Sequence, residues 1–217
     1  MGQSDLTLDE IRARLAPAIV DAAAFDGWSD AAIRSAAEQE GIDPVVARLA
    51  FPGGAMDMIG AWVEAIDARM EAEFSADTLA IMPVRERIRA LVWFRLECAG
   101  GKEESLRRAL AIEAMPQNAA RTLRMGWHSA DLMWRLAGDT ASDYNHYTKR
   151  VILAGIYAAT LAVFVSDESE GKAETRAFLD RRIEGVMRFE KAKARLLRER
   201  DGFSVSRFLG RLRYPAR

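Results

Sequence analysis

Apolar residues recur every three to four positions along most of the chain, a spacing that predicts α-helices. In the first such stretch Leu8, Ile11 and Leu15 fall on one helical face, and Thr7 with Glu10 forms a T-x-x-E capping box at its start. No segment shows the β-branched alternation of apolar and polar residues that predicts a strand. The pattern therefore predicts an all-α fold.

Cap and stop residues divide the chain into separate helices. Ser29 precedes a second helix that stops at Gly41, and Asp43 caps a third helix that has Pro44 at its first position. A fourth helix follows from about Ala55. Together with a short C-terminal amphipathic helix, the bundle of about ten helices is completed by segments over 83–99, 103–114, 117–136, 144–166 and 174–199.

The net charge of −1, from 31 basic and 32 acidic residues, conceals an uneven distribution. Residues 1–60 contain four basic and ten acidic side chains, a net charge of −6, whereas residues 188–217 contain ten basic and three acidic ones, a net charge of +7. This asymmetry favours an anionic partner at the C-terminal end. We predict a head over 1–54, a helical body over 55–200 and a basic tail over 201–217.

The tail sequence FSVSRFLGRLRY predicts a short amphipathic helix with arginines beside an apolar stripe. Such a helix binds a bilayer interface by burying its apolar side and placing its arginines among anionic head groups. Docking of the same helix on the body or on a second subunit explains the pattern equally well, and both interpretations stay open. The residues predicted to contact the membrane are Phe203, Val205, Arg207, Phe208, Leu209, Arg211, Leu212 and Arg213.

Residues that carry catalytic or metal chemistry are scarce. Cys98 is the single cysteine, and the two histidines, His128 and His146, each have only one aspartate a helical turn away, Asp131 and Asp143. The paired Glu-x-x-His of helical di-iron enzymes, the G-x-S-x-G motif, the P-loop and the Rossmann fingerprint are absent. We predict no catalytic residues, no metal and no cofactor, with a metal-dependent hydroxylase as a third-ranked alternative.

Two further expectations concern targeting. The N-terminus has no cationic segment followed by an apolar one, so we expect no signal peptide. The longest apolar segment, Val151 to Val165, has 15 residues, fewer than the roughly 20 that a membrane-spanning helix needs. No transmembrane helix is therefore predicted, and the lone cysteine fits a reducing compartment.

The stretch from Gly27-Trp28 to Phe51-Pro52 contains the pattern I-x-x-A-A-x-x-x-G-I. With this pattern the first three helices resemble the helix-turn-helix head of TetR-type regulators. The would-be recognition helix, Pro44 to Phe51, offers only Arg48 for contact with bases or phosphates. The acidic charge of the head also repels a polyanion. We therefore predict no nucleic-acid binding, and keep a TetR-family transcriptional regulator with an apolar effector pocket as the alternative function.

The body is rich in tryptophan, methionine and leucine, which favours a cavity for a long apolar ligand. The body also contains several distinctive motifs: Met115-Pro116-x-Asn118, Asp131-x-Met133-Trp134-x-x-Ala137-Gly138-Asp139, Asp143-x-Asn145-x-Tyr147-Thr148-Lys149-Arg150, Leu153-x-x-Ile156-Tyr157, Phe178-Leu179 and Arg181-Arg182. Together they resemble the Coq-nine family of ubiquinone biosynthesis accessory proteins, most closely its α-proteobacterial members. Gly27-Trp28-x-x-x-Ala32-Ile33 in the head and the basic tail also have family counterparts.

The resemblance implies a TetR-like fold that holds an isoprenoid or phospholipid in its body instead of binding DNA. It also implies a homodimer that reaches the membrane through its last helix and presents polyprenylated quinone intermediates to the di-iron hydroxylase of the ubiquinone pathway. The implied location is cytoplasmic, peripheral on the inner face of a bacterial cytoplasmic membrane. Catalysis then belongs to the hydroxylase.

The same resemblance assigns residues to the lipid and to the partner. His146 stands where the animal members of the family carry tryptophan. The expected lipid-binding residues are Trp93, Trp127, Met133, Trp134, Ile156, Tyr157 and Phe164, and the expected partner-binding residues are Asp143, Asn145, His146, Tyr147 and Arg150.

Overall fold

The computed structural model describes residues 6–140 and 144–202, which form ten α-helices joined by short turns. No strand occurs in this part of the chain, so the predicted all-α class is confirmed. The predicted tail helix lies outside the described residues. The helices are α1 (Leu8–Asp26), α2 (Asp30–Glu40), α3 (Pro44–Leu49), α4 (Ala55–Glu73), α5 (Ala76–Ala80), α6 (Val84–Cys98), α7 (Glu103–Glu113), α8 (Ala119–Leu136), α9 (Tyr144–Phe164) and α10 (Ala173–Gly202).

The predicted caps of the head are confirmed. The amide of Glu10 donates to Thr7 Oγ1 at 3.3 Å, and the amide of Thr7 donates to a Glu10 carboxylate oxygen at 2.8 Å. Ser29 and Asp43 each accept a hydrogen bond from the main-chain N–H two residues later. Gly41 ends α2 in the left-handed conformation at φ 66°, which a residue with a Cβ adopts only at a cost. Local sequence therefore determines where these helices begin and end.

The periodicity overlooks three short elements. Ser75 caps the five-residue helix α5 by accepting a hydrogen bond from the amide of Thr78 at 3.2 Å. Single-turn 3-10 helices precede α8 at Pro116–Asn118 and α10 at Glu170–Lys172. Segments of this length are too short to show a hydrophobic period.

Trp28 connects the head to the body. Its indole Nε1 donates to the main-chain carbonyl of Ser105 at 2.9 Å, and its ring lies 5.8 Å from that of Trp62. The hydroxyl of Ser105 in turn donates to the carbonyl of Val20 at 2.6 Å. Because these groups are buried, α1, α4 and α7 share one core at this junction.

Helix α9 corrects the expectation about membrane spans. His146–Phe164 is 19 residues long with a mean hydropathy of 1.2, which is sufficient to cross a bilayer by length and composition. The uninterrupted apolar run is 15 residues, but the helix that meets these two criteria also includes the more polar residues from His146 to Arg150. In the structure α9 packs against α6, α8 and α10, and 28% of this window is buried.

Candidate functional site: an apolar cavity among five helices

A cavity of about 520 Å³ lies between α4, α6, α7, α8 and α9. Its size is that of pockets that hold drug-sized molecules. Most of its walls are apolar side chains, and four of the exceptions are Arg95, Glu113, Thr122 and Ser129. The apolar lining consists of Ile59, Trp62, Val63, Ile66, Ala99, Leu106, Ala109, Leu110, Leu123, Met125, Trp127, Val151, Ala154, Ala158 and Leu161, with Tyr157 and two glycines.

Two helical glycines contribute to the open space. Gly126 of α8 and Gly155 of α9 both line the cavity, and a Cβ added at either position would meet nothing within 4 Å. Glycine inside a helix costs roughly 0.5–1 kcal/mol relative to alanine. Neither glycine has a positive φ that requires it, so each leaves unfilled volume beside the cavity.

A buried polar cluster forms one wall. Arg95, in the last turn of α6, donates to Asp67 of α4 and to Ser129 Oγ at 2.9 Å, and its guanidinium lies 5.0 Å from the ring of Tyr157. Burial opposes the charge on Arg95, but its interactions with Tyr157 and Asp67 outweigh burial and keep its pKa above the ordinary value. The cation is therefore neutralised by Asp67 within the protein.

Glu113 lies at the end of α7 and lines the cavity. The hydroxyl of Thr122 donates to its main-chain carbonyl at 3.0 Å, which holds the end of α7 against α8. Burial among apolar side chains raises the pKa of the Glu113 carboxyl to about 7. Near neutral pH this carboxyl group is therefore divided between its neutral and ionised forms.

An aromatic group borders the cavity where α8 meets α9. The ring of Trp127 lies 5.9 Å from that of Tyr147, and the ring of His146 lies 5.1 Å from that of Tyr147. Leu123 and Val151 line the cavity and are 73% and 61% exposed to solvent. Tyr147 is also 61% exposed. We call Leu123, Trp127, His146, Tyr147 and Val151 the rim. It is an apolar, solvent-exposed surface beside the cavity.

The expected partner-binding residues separate in the structure. His146 and Tyr147 lie on the rim, whereas Arg150 is only 2% exposed and donates to Asp131 at 2.5 Å and to Asp139 at 3.1 Å. This network joins α8 to α9, so a structural role accounts for Arg150. Asp143 and the side chain of Asn145 lie outside the described residues.

The expected lipid-binding residues also divide. Trp127 and Tyr157 line the cavity, while Trp134 and Ile156 line a second one of about 260 Å³ between α6, α8, α9 and α10. The remaining three line neither cavity: Met133 and Phe164 are buried in the core, and Trp93 lies half-buried under Arg176, whose guanidinium is 3.6 Å from the ring centroid.

Sequence reasoning overlooked Arg95, Glu113 and Gly126. Each carried a signal, because Arg95 and Glu113 interrupt apolar runs (LVWFRL and ALAIEAM) and Gly126 lies within a helical pattern without a stop signal. A polar residue at an apolar helical position indicates a buried pair or a cavity, and the sequence alone does not distinguish them.

Helix α3 presents an apolar surface where a regulator places its recognition helix. Val45 and Leu49 are exposed, and Arg48 is paired with Asp30 at 2.8 Å. The guanidinium of Arg48 also donates to the carbonyl of Phe51 at 2.8 Å. The cation of α3 is therefore engaged within the head.

Comparison with known proteins agrees with the motifs. Residues 119–190 match the family model described as COQ9. The mitochondrial ubiquinone biosynthesis protein COQ9 of Rattus norvegicus is 32% identical over 186 residues, covering 82% of this chain and 59% of the rat protein. The human protein of that name is 28% identical, with 82% and 58% covered. The chain thus spans less than two thirds of the length of these relatives.

A solved structure shows the fold. The TetR transcriptional regulator from Nitrosomonas europaea superimposes with a TM-score of 0.64 at 21% identity, covering 80% of this chain and 95% of the regulator. This confirms the predicted TetR-like bundle. The chain is therefore similar in sequence to the COQ9 ubiquinone biosynthesis proteins, as its motifs indicate, and it shares the fold of a TetR regulator.

Proposed function

We propose that the protein is a lipid-binding accessory protein of ubiquinone biosynthesis, without catalytic residues of its own. Homology to the COQ9 proteins supports a role in this pathway. The observation that carries lipid binding is the 520 Å³ cavity, whose walls are mostly apolar and whose cation, Arg95, is paired with Asp67. Such a site favours an apolar ligand, because an isolated charge would be desolvated there.

The rim gives the bound lipid a route to a partner. Leu123, Trp127 and Val151 belong both to the cavity wall and to the rim, so a protein docked on Tyr147 would lie beside the ligand. Aromatic side chains of this kind are enriched at protein interfaces. We infer that the di-iron hydroxylase of the pathway docks here and receives a polyprenylated quinone intermediate.

Membrane association is assigned to the basic tail, 201–217. Its apolar stripe and arginines would combine hydrophobic insertion with attraction to anionic lipid, the two weak signals that peripheral binding requires. Flotation with anionic vesicles of the full chain, compared with a version ending at Asp201, tests this assignment. We expect the full chain to float with the vesicles and the shortened version to remain at the bottom. Equal recovery of the two proteins in the vesicle fraction would contradict the assignment.

Two further parts of the proposal concern assembly and location. The contacting pair α9 and α10 is assigned to a homodimer contact, by analogy with regulators of this fold. The protein is placed on the inner face of a bacterial cytoplasmic membrane, where its substrate and its partner would meet. Cross-linking and analytical ultracentrifugation measure the oligomeric state, and membrane fractionation measures the location.

A DNA-binding regulator is the alternative, and the fold comparison is what favours it. The surface of α3 argues against it, because its exposed residues are apolar and Arg48 is paired with Asp30. Sequence readout needs several polar or cationic groups on that helix. A salt-dependent mobility shift with DNA at physiological salt would favour the regulator.

The variant Gly126→Leu tests the cavity. A leucine there would project into open space, so it should fill the cavity without displacing the backbone. Binding of the fluorescent apolar probe N-phenyl-1-naphthylamine should fall at least about tenfold, the loss of about 1.4 kcal/mol of binding free energy. Gly185→Leu, on the exposed side of α10, is the matched control and should bind as the parent does. Equal binding by both variants would contradict the assignment.

A further inference from the structure

The charges that face the cavity restrict the ligand it can hold. Among the described lining residues, the charged side chains are Arg95 and Glu113. Arg95 is paired with Asp67 and donates to Ser129, and although its buried Nε has no hydrogen-bond partner among the described residues, the ion pair adds no net charge to the wall. A phosphate head group in this cavity would therefore find no free cation of the kind that phosphate sites use.

Glu113 is the charged lining residue that has no ion-pair partner among the described residues. Among the described residues, none donates a hydrogen bond to its carboxyl group, although Thr122 fixes its main-chain carbonyl at 3.0 Å. Its burial beside the cavity raises its pKa to about 7. A protonated carboxyl donates to a carbonyl oxygen, and either form accepts from a hydroxyl group.

Charged groups on the helices around Glu113 form ion pairs with other residues. Arg95 of α6 pairs with Asp67 of α4, with the ring of Tyr157 from α9 beside the guanidinium. Arg121 of α8 pairs with Asp57 of α4 at 2.5 Å. None of these groups contributes to the raised pKa of Glu113, which is caused by burial.

We propose that Glu113 is a ligand-recognition residue that selects a neutral amphiphile with hydroxyl or carbonyl oxygens on its head group over an anionic phosphate lipid. This inference rests on the proposed lipid-binding function and defines its ligand class more narrowly. An ionised Glu113 repels a phosphate, and a neutral Glu113 offers it a single hydrogen bond. A neutral head group such as an alcohol or an oxygenated ring is not repelled by an ionised Glu113, and it can form a hydrogen bond with the carboxyl group.

Affinity for such a neutral ligand should follow the protonation of Glu113. The ligand buries the carboxyl further, so it binds the neutral form more tightly, and by linkage its affinity falls as pH rises. With a pKa of about 7, the neutral fraction falls from about 90% at pH 6 to about 10% at pH 8. The affinity should therefore fall by up to about tenfold between these pH values.

Farnesol and farnesyl phosphate test the inference, because they share one chain and differ only in the head group. Each would displace N-phenyl-1-naphthylamine from the full chain at pH 6 and pH 8, with the affinity of the dye measured separately at each pH. Farnesol should bind at least about tenfold more tightly than farnesyl phosphate at pH 8, a difference of about 1.4 kcal/mol. The variant Glu113→Gln should reduce that preference and abolish the pH dependence for farnesol.

Glu71→Gln, which removes an exposed carboxylate from α4, is the matched control and should behave as the parent does. Equal affinity of the parent for the two lipids, or an unchanged preference in Glu113→Gln, would overturn the inference while leaving lipid binding intact. Failure of both lipids to displace the dye would instead overturn the proposed function, and the inference with it.

Discussion

The hydroxyl of Thr122 donates a 3.0 Å hydrogen bond to the main-chain carbonyl of Glu113, and both residues line the same cavity. This contact joins the end of α7 to the beginning of α8. It fixes the one charged cavity residue that has no ion-pair partner among the described residues. The mostly apolar wall of the cavity therefore carries a carboxyl group where the end of α7 meets α8.

Replacing Glu113 by glutamine should change how stability depends on pH. The pKa of the folded protein lies near 7 and that of the unfolded chain near 4.5, so the folded state binds more protons between these values. The parent should then lose stability as pH rises from 4.5 to 7 and remain level above it. Glu113→Gln lacks this loss, which is roughly 2 kcal/mol after allowance for partial exposure.

Urea unfolding of the parent and of Glu113→Gln at pH 5 and pH 8 measures this difference. The variant should gain stability relative to the parent at the higher pH. Parallel stability changes in the two proteins would show that Glu113 titrates at its ordinary value.

Removing Asp67 should be far more damaging than removing a carboxylate from a surface pair. Asp67→Ala leaves the Arg95 guanidinium buried without its counter-ion, at a cost of about 3–5 kcal/mol. Glu64→Ala breaks the Arg12–Glu64 pair, whose carboxylate is largely exposed, and should cost less than about 1 kcal/mol. Denaturant unfolding of the two variants compares them directly, and similar losses would argue against a buried pair.

Trp28→Phe should weaken the junction of head and body without removing its ring contact. The variant keeps an aromatic ring near Trp62 but loses the hydrogen bond from Nε1 to the carbonyl of Ser105. The expected loss of unfolding free energy is about 1 kcal/mol. Phe25→Ala, at an exposed position of α1, should leave stability unchanged, and an equal loss there would contradict the role of the indole.

Tyr147→Ala should separate partner binding from folding. Because Tyr147 is largely exposed, its removal should change the unfolding free energy by less than about 1 kcal/mol. If the rim is the docking site, affinity for the hydroxylase should fall by at least about tenfold in a pull-down or calorimetric titration. Val45→Ala, on the exposed face of α3, is the control. Unchanged affinity in Tyr147→Ala would place the partner elsewhere.

The ends of the helices in the head can be predicted from the sequence because they depend on local capping signals. The capping box of Thr7 and Glu10, the caps at Ser29 and Asp43 and the stop at Gly41 each act within a few residues, so sequence alone places them correctly. Helix α5, with five residues, has no period to detect. The apolar run predicted fewer residues than the 19 of the helix that meets the length and composition of a membrane span, because the polar first turns of α9 interrupt the run.

The site is less predictable, since it depends on which helix faces converge. Periodicity places Trp127 and Trp134 on α8, but only packing shows that they face different cavities. Arg150 resembles a surface residue in the motif, yet Asp131 and Asp139 hold it inside the bundle. A position on a helix face is a local property, whereas a cavity forms only when five helices assemble.

Mass spectrometry of the purified protein under native conditions, followed by organic extraction, tests the central claim most directly. The account predicts that the parent retains an apolar lipid with an oxygenated head group, and that Gly126→Leu loses it while Gly185→Leu keeps it. An equal amount of the same lipid in all three proteins, or a parent that is reproducibly empty when purified from lipid-containing cells, would contradict the claim that this cavity binds lipid.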